Sequence, residues 1–129
     1  MSQVRQSHDP SIKKMKIAIA STGQKLTAKV DQRFGRCPYF LIVDTKDQKL
    51  EILKNTAIRA SRGVGISAAQ LITDQKVQAI IAGNFGPNAI RVLQTSGIKL
   101  FTASQSTSID KAISQLKKGN LKQVTADTI

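Results

Sequence analysis

At 129 residues and 40% hydrophobic content, the chain has room for one continuous core without disulfides or structural metal. Twenty Lys and Arg against eight Asp and Glu give a net charge of +12, which favours anionic ligands or partners. Aromatic content is only 4% and no basic run alternates with stacking aromatics, which disfavours nucleic acid. The single cysteine excludes an internal disulfide, and no apolar run approaches the roughly 20 residues of a membrane span, so a reducing cytoplasm is the expected setting.

Residues 1–14 are polar, lack the apolar stretch of a signal peptide and show neither helical nor strand periodicity. They are expected to be a flexible extension holding the only histidine, His8, as a solvated residue, with the domain spanning residues 15–122 and a tail over 123–129. Lys16 to Ala20 is a short apolar run with β-branched isoleucines, as in a strand buried on both faces. A polar loop follows as far as Arg36, and Tyr39 to Asp44 is a second, almost wholly apolar strand. Lys49 to Lys54 alternates apolar and charged residues after a short turn, which predicts a half-exposed strand paired antiparallel with its predecessor.

Helical spacing then takes over. Asn55 to Arg62 reads as loop, after which Val64, Ala68, Leu71 and Ile72 fall on one helical face. Val77 to Ala82 is a further apolar strand, and Gly86-Pro87 opens a helix with proline at its favoured first position. That helix faces Ala89, Val92 and Leu93 inward and stops at Gly97. Ile98 to Thr102 is the last predicted strand, and the last helix begins at Ser108 as cap, with Asp110 in its first turn. The order β-β-β-α-β-α-β-α predicts a three-layer α/β domain with a five-stranded mixed sheet, one strand antiparallel, in ribonuclease-H-like topology. Ligands of such sheets sit beyond the carboxyl ends of the parallel strands, where loops 21–36, 62–65 and 83–88 would converge.

The richest of these loops runs into the second strand: Asp31 to Asp44 contains the only cysteine, Cys37, the only tyrosine, Tyr39, and the arginines Arg33 and Arg36 around Gly35. Cys37 is a candidate thiolate ligand for iron or an iron–sulfur cluster, with the arginines lowering its pKa and balancing cluster charge. The alternative is a small packed residue beside Pro38. Gly63-Val64-Gly65-Ile66-Ser67-Ala68 matches G-x-G-x-x-A, but its place in the chain and the missing downstream acid argue against a dinucleotide. Beside Arg62 it remains an anion seat at a helix start. Asn84, Gly86 and Asn88 repeat that arrangement at the next helix. A ribonuclease-H-type nuclease would need a cluster of metal-binding carboxylates that the first strand lacks, and no Ser-His-Asp or Cys-His set exists. The reading is therefore a binding protein and no enzyme.

Five segments together resemble the dinitrogenase iron–molybdenum cofactor biosynthesis family, of the NifX and NifB C-terminal type: MKIAIA, RFGRCPYFLIVD, GVGISAAQLI, IIAGNFGPNAIRVLQTSGIKLF and KAISQLKKGNL. The resemblance implies an α/β ribonuclease-H-like fold and a stand-alone carrier for iron–molybdenum cofactor or an iron–sulfur precursor, working with metallocluster assembly proteins. Nitrogenase-linked members often have histidine just before the Phe-Gly pair, where this chain has Arg33. The radical-SAM cysteine motif of the larger NifB enzymes is absent, so cluster synthesis by this chain is not expected. On this reading Cys37 is the metal ligand, with Arg33, Gly35, Arg36, Arg62, Gly63, Gly65, Asn84, Gly86 and Asn88 forming the cradle, and a homodimer could share the cargo. The rival expectation is a basic module for nucleic acid or an acidic protein partner.

Overall fold

A computed structural model describes residues 15–47, 49–60 and 62–125; the extension containing His8 lies outside them. Six strands form one sheet: β1 (Lys16–Ser21), β2 (Tyr39–Asp44), β3 (Leu50–Lys54), β4 (Ala79–Ala82), β5 (Lys99–Thr102) and β6 (Lys122–Val124), in the order β3-β2-β1-β4-β5-β6. Helices α1 (Val64–Thr73), α2 (Pro87–Thr95) and α3 (Ile109–Lys117) complete three layers. Strands β1, β4 and β5 run parallel, while β2 lies antiparallel between β1 and β3.

Two expectations are corrected here. The sheet has six strands, because Lys122–Val124 pairs antiparallel with β5 where a loose tail from residue 123 was expected. There are consequently two antiparallel strands, β2 and β6, and the added edge departs from the five-stranded ribonuclease-H-like arrangement. Thr56–Arg59, read as loop, is a short 3-10 turn whose amide at Ala57 is capped by the Asn55 side chain.

Alternation along the central strands divides the core in two. Ala18, Ala20, Phe40, Ile42, Ile80 and Ala82 face α1 and α2, packing on Ala68, Ala69, Ile72, Ala89 and Leu93. Ile17, Ile19, Leu41, Val43, Ala79 and Ile81 face the opposite way, toward Ile109 and Ala112 of α3. Burying each of the larger side chains among these, the valine, leucines, isoleucines and phenylalanine, stabilises the fold by about 1.5–3 kcal/mol, less the entropy of ordering it. The parallel strands therefore end at one rim, with the amino ends of α1 and α2 on a shared face.

Candidate functional site

Asp31 sits where the carboxyl ends of β1 and β4 diverge. Its amide donates to Ala20 O at 2.8 Å and its carbonyl accepts from Gly83 N at 2.9 Å, so the incoming loop joins the two strand ends. The carboxylate, 5% exposed, turns back on its own loop: Oδ1 accepts from Arg33 N at 2.8 Å and from Arg33 Nε at 3.4 Å. That Asx-type turn sets the course of the next four residues.

Phe34 anchors the turn in the core. Its ring lies 5.3 Å from that of Phe40 and 5.4 Å from that of Phe85, and its amide donates to Asn84 O at 3.2 Å. With Phe34 pointing inward, Arg33 and Arg36 on either side are exposed. Gly35 crosses the start of α1 so closely that a Cβ would lie 3.1 Å from Gly65 Cα and 3.2 Å from Gly65 N. Gly65 in turn packs toward Ala89 of α2. Loop 21–36 thus touches both of the other predicted loops, through Gly35 with Gly65 and Phe34 with Asn84, and the start of α1 approaches α2 through Gly65 and Ala89.

Both helix starts here lack a side-chain cap. Gly63 precedes α1 in a left-handed conformation (φ 69°), and Gly86 precedes α2 in extended conformation with Pro87 at the first turn. The N–H groups of the first turn, from Val64 in α1 and from Asn88 in α2 because Pro87 has none, lack an intrahelical acceptor, so they lend the rim positive potential alongside the exposed Arg33, Arg36 and Arg62. Asn84 and Asn88 are exposed beside them, the latter accepting from Arg91 Nη1 at 3.4 Å. Ser108, the expected cap of α3, makes no cap bond; its hydroxyl donates to Asp110 Oδ1 at 2.6 Å.

Cys37 departs from the expectation of an open thiolate. Its side chain is 0% exposed, within the core that contains Phe34, Phe40 and Phe85, and its thiol donates to Phe34 O at 3.4 Å. Burial, with the nearby Asp31 charge adding to it, pushes its pKa up to about 12. The flanking arginines point to solvent, so the expected lowering does not occur; what the structure presents is a neutral, packed thiol that staples the turn.

Residues not singled out in the sequence hold that turn. Asn55, 2% exposed, donates through Nδ2 to Gly35 O at 3.1 Å and Cys37 O at 2.8 Å, while its own amide donates to Pro38 O at 3.0 Å. The Gln32 amide lies directly over Gly83, where any Cβ would collide with it. An asparagine ending a strand was the available signal for Asn55; for Gln32 there was none. Among the described residues, no group of three or more His, Cys, Asp or Glu is placed to hold a metal ion. The donor set is therefore N–H and guanidinium, suited to the outer atoms of an anion rather than to direct side-chain ligation of a metal.

A family model described as dinitrogenase iron–molybdenum cofactor matches residues 15–119. An uncharacterized protein of Methanocaldococcus jannaschii is 37% identical over 115 residues, covering 87% of this chain and 93% of its own length. The apo form of the orange protein from Desulfovibrio gigas superposes with a TM-score of 0.83 at 29% identity, over 87% of this chain and 94% of the other. A Thermotoga protein assigned provisionally to NifB gives a TM-score of 0.76 at 32% identity, over 87% and 95%.

Proposed function

The chain belongs to the dinitrogenase iron–molybdenum cofactor family, and from that premise we propose that it is a non-enzymatic carrier for an anionic metal–sulfur cluster, iron–molybdenum or iron–sulfur, exchanged with cluster-assembly proteins. The observation that carries the reading is the meeting of two uncapped helix starts with Arg33, Arg36 and Arg62 at the rim of the sheet. Such a rim binds charge on the outside of a preassembled cluster. Backbone N–H groups meet sulfur or oxide acceptors, and guanidinium groups offset the cluster's net charge. Arg33 already has Asp31 as a partner, which leaves Arg36 and Arg62 as the more available cations. Cys37, first read as the ligand, serves this carrier by shaping the turn. A cargo held only by its outer atoms can be released without breaking a metal–thiolate bond, which suits transfer. No helix among the described residues is long and apolar enough to cross a membrane.

Anaerobic loading with isolated iron–molybdenum cofactor, or with ferrous iron and sulfide, tests this. Cluster absorption and metal should co-elute with the wild type, fall at least tenfold in affinity in Arg36→Ala/Arg62→Ala, and persist in Cys37→Ser. Absence of any co-eluting cluster, or loss caused by Cys37→Ser alone in a folded protein, would overturn it.

A further inference from the structure

One side chain at the rim has a bonding requirement that the fold leaves unmet. Residues 31–34 run alongside residues 83 and 84, held by Gly83 N donating to Asp31 O at 2.9 Å and Phe34 N donating to Asn84 O at 3.2 Å. Gln32 lies in that seam, at the carboxyl end of β4, between the buried Asp31 and the exposed Arg33. Its carboxamide fills the space that a side chain on residue 83 would take, since a Cβ there would fall on Cδ, Nε2 and Oε1 together. Gly83 is not in the left-handed region, unlike Gly63, Gly97 and Gly119. What its lack of a side chain provides is therefore room for Gln32, and not backbone freedom.

In that seat Nε2 of Gln32 is buried and has no acceptor, the one such buried side-chain nitrogen or oxygen among the described residues. Asn55, which holds the same turn, uses its Nδ2 on both Gly35 O and Cys37 O. Burying an unpaired N–H costs free energy, so the seat holds the carboxamide by packing alone on the nitrogen side. Gln32 as a whole is only half-buried. Its terminal torsions can carry the NH₂ group out to the rim while the backbone stays pinned through Asp31.

We propose that Gln32 is the cargo-recognising donor of the rim: on loading, its carboxamide leaves Gly83 and Nε2 donates to a sulfur or oxygen acceptor on the surface of the bound anion. This inference rests on the carrier reading above and adds selectivity to it. Arg36 and Arg62 attract any anion, whereas a donor left unpaired in the empty protein gains most from a cargo with an acceptor at that point. Gly83 supplies the seat of the empty state.

The test compares Gln32→Met and Gly83→Ala in the full chain, with a cluster assembled anaerobically from ferrous iron and sulfide as the probe. Methionine keeps the length of the side chain and its packing on Gly83 but has no donor. Its unfolding midpoint in denaturant is expected at or above that of the wild type, because the unpaired N–H groups are gone. Its cluster affinity is expected to fall about fivefold or more, the share of one hydrogen bond. Alanine at position 83 closes the seat and puts the carboxamide at the rim before loading, so affinity is expected at or above wild type. A carboxamide that only braces the seam gives another pattern, with stability and loading lost together in both variants. Each of the following overturns the proposal: a smaller loss of affinity in Gln32→Met; an unfolding midpoint of Gln32→Met below that of the wild type, which signifies a donor satisfied within the fold; or weakened loading in Gly83→Ala. If Gln32→Met loads normally while Arg36→Ala/Arg62→Ala does not, the carrier reading survives without Gln32; a wild type that takes up no cluster ends both.

Discussion

Whether the only cysteine can bond to a cargo depends on its ionisation as well as on its burial. With a folded pKa of about 12 against an ordinary value of 9.0, Cys37 at pH 8 is thiolate in about one molecule in ten thousand, where an ordinary thiol is so in about one in ten. Since the thiolate is the nucleophile, the thousandfold lower thiolate fraction, offset about twentyfold by the greater nucleophilicity of a higher-pKa thiolate, means that a chromogenic aromatic disulfide should label the native protein at least about fiftyfold more slowly than the unfolded chain. Enclosure by Phe34, Phe40 and Phe85 adds to that factor.

Stability carries the same signature. A folded pKa above the unfolded one means that, between pH 9 and 12, the unfolded chain has lost a proton that the folded chain retains. The contribution is therefore complete below about pH 9 and disappears as pH rises toward 12. At pH 10.5 the loss is about 2 kcal/mol, from 1.5 pH units at about 1.4 kcal/mol each. The measurement is a difference, so that all other ionisations cancel: denaturant unfolding of wild type and Cys37→Ser at pH 8 and 10.5, with the wild type losing about 2 kcal/mol more. Native labelling within a few-fold of the unfolded rate, or thiolate ultraviolet absorbance appearing in the folded protein with a midpoint near the ordinary 9.0, would refute the reasoning.

Other perturbations address the rim. Asn55→Ala leaves Gly35 O and Cys37 O without a buried donor and should cost about 2–4 kcal/mol in chemical denaturation, with weaker cluster loading from a loosened Arg33–Arg36 turn. Gly35→Ala sets a methyl against the α1 backbone at Gly65; we expect about 1–3 kcal/mol of destabilisation by the same assay and a shift of the Gly65 amide resonance. Asp31→Asn removes the carboxylate that holds Arg33, which should tighten anion loading severalfold in an anaerobic titration while lowering the unfolding free energy by about 1–2 kcal/mol.

The central strands were legible because each is an apolar run long enough to be read on its own, as KIAIA and YFLIVD show. Helices α1 and α2 were legible from spacing and from Gly63 and Gly86 at their starts. Strand β6 was not, because Lys122–Val124 is short, mostly polar and defined by its hydrogen bonds to β5. At the site, the meeting of three loops followed from strand order, but the depth of Cys37 did not. Its environment is built from Phe34, Phe85 and Asn55, which lie on three separate segments. Periodicity reports which face of an element is buried and says nothing of a loop residue between elements.

That difference bears on how the rim is built. A turn presenting two arginines would ordinarily be mobile, since exposed cations repel one another and gain little from ordering. Here the apolar and polar parts of the same five residues pull in opposite directions: Phe34 and Cys37 are drawn into the core, and Arg33 and Arg36 are left at the surface. Asp31 offsets the first arginine, and Asn55 fixes the turn's carbonyls, so the backbone that carries the two cations is ordered while their side chains stay exposed. An anion that bound there would meet a turn whose backbone is already ordered, which lowers the entropic cost of binding. The cysteine's contribution on this account is rigidity supplied by burial, the property that withdraws it from direct contact with the cargo.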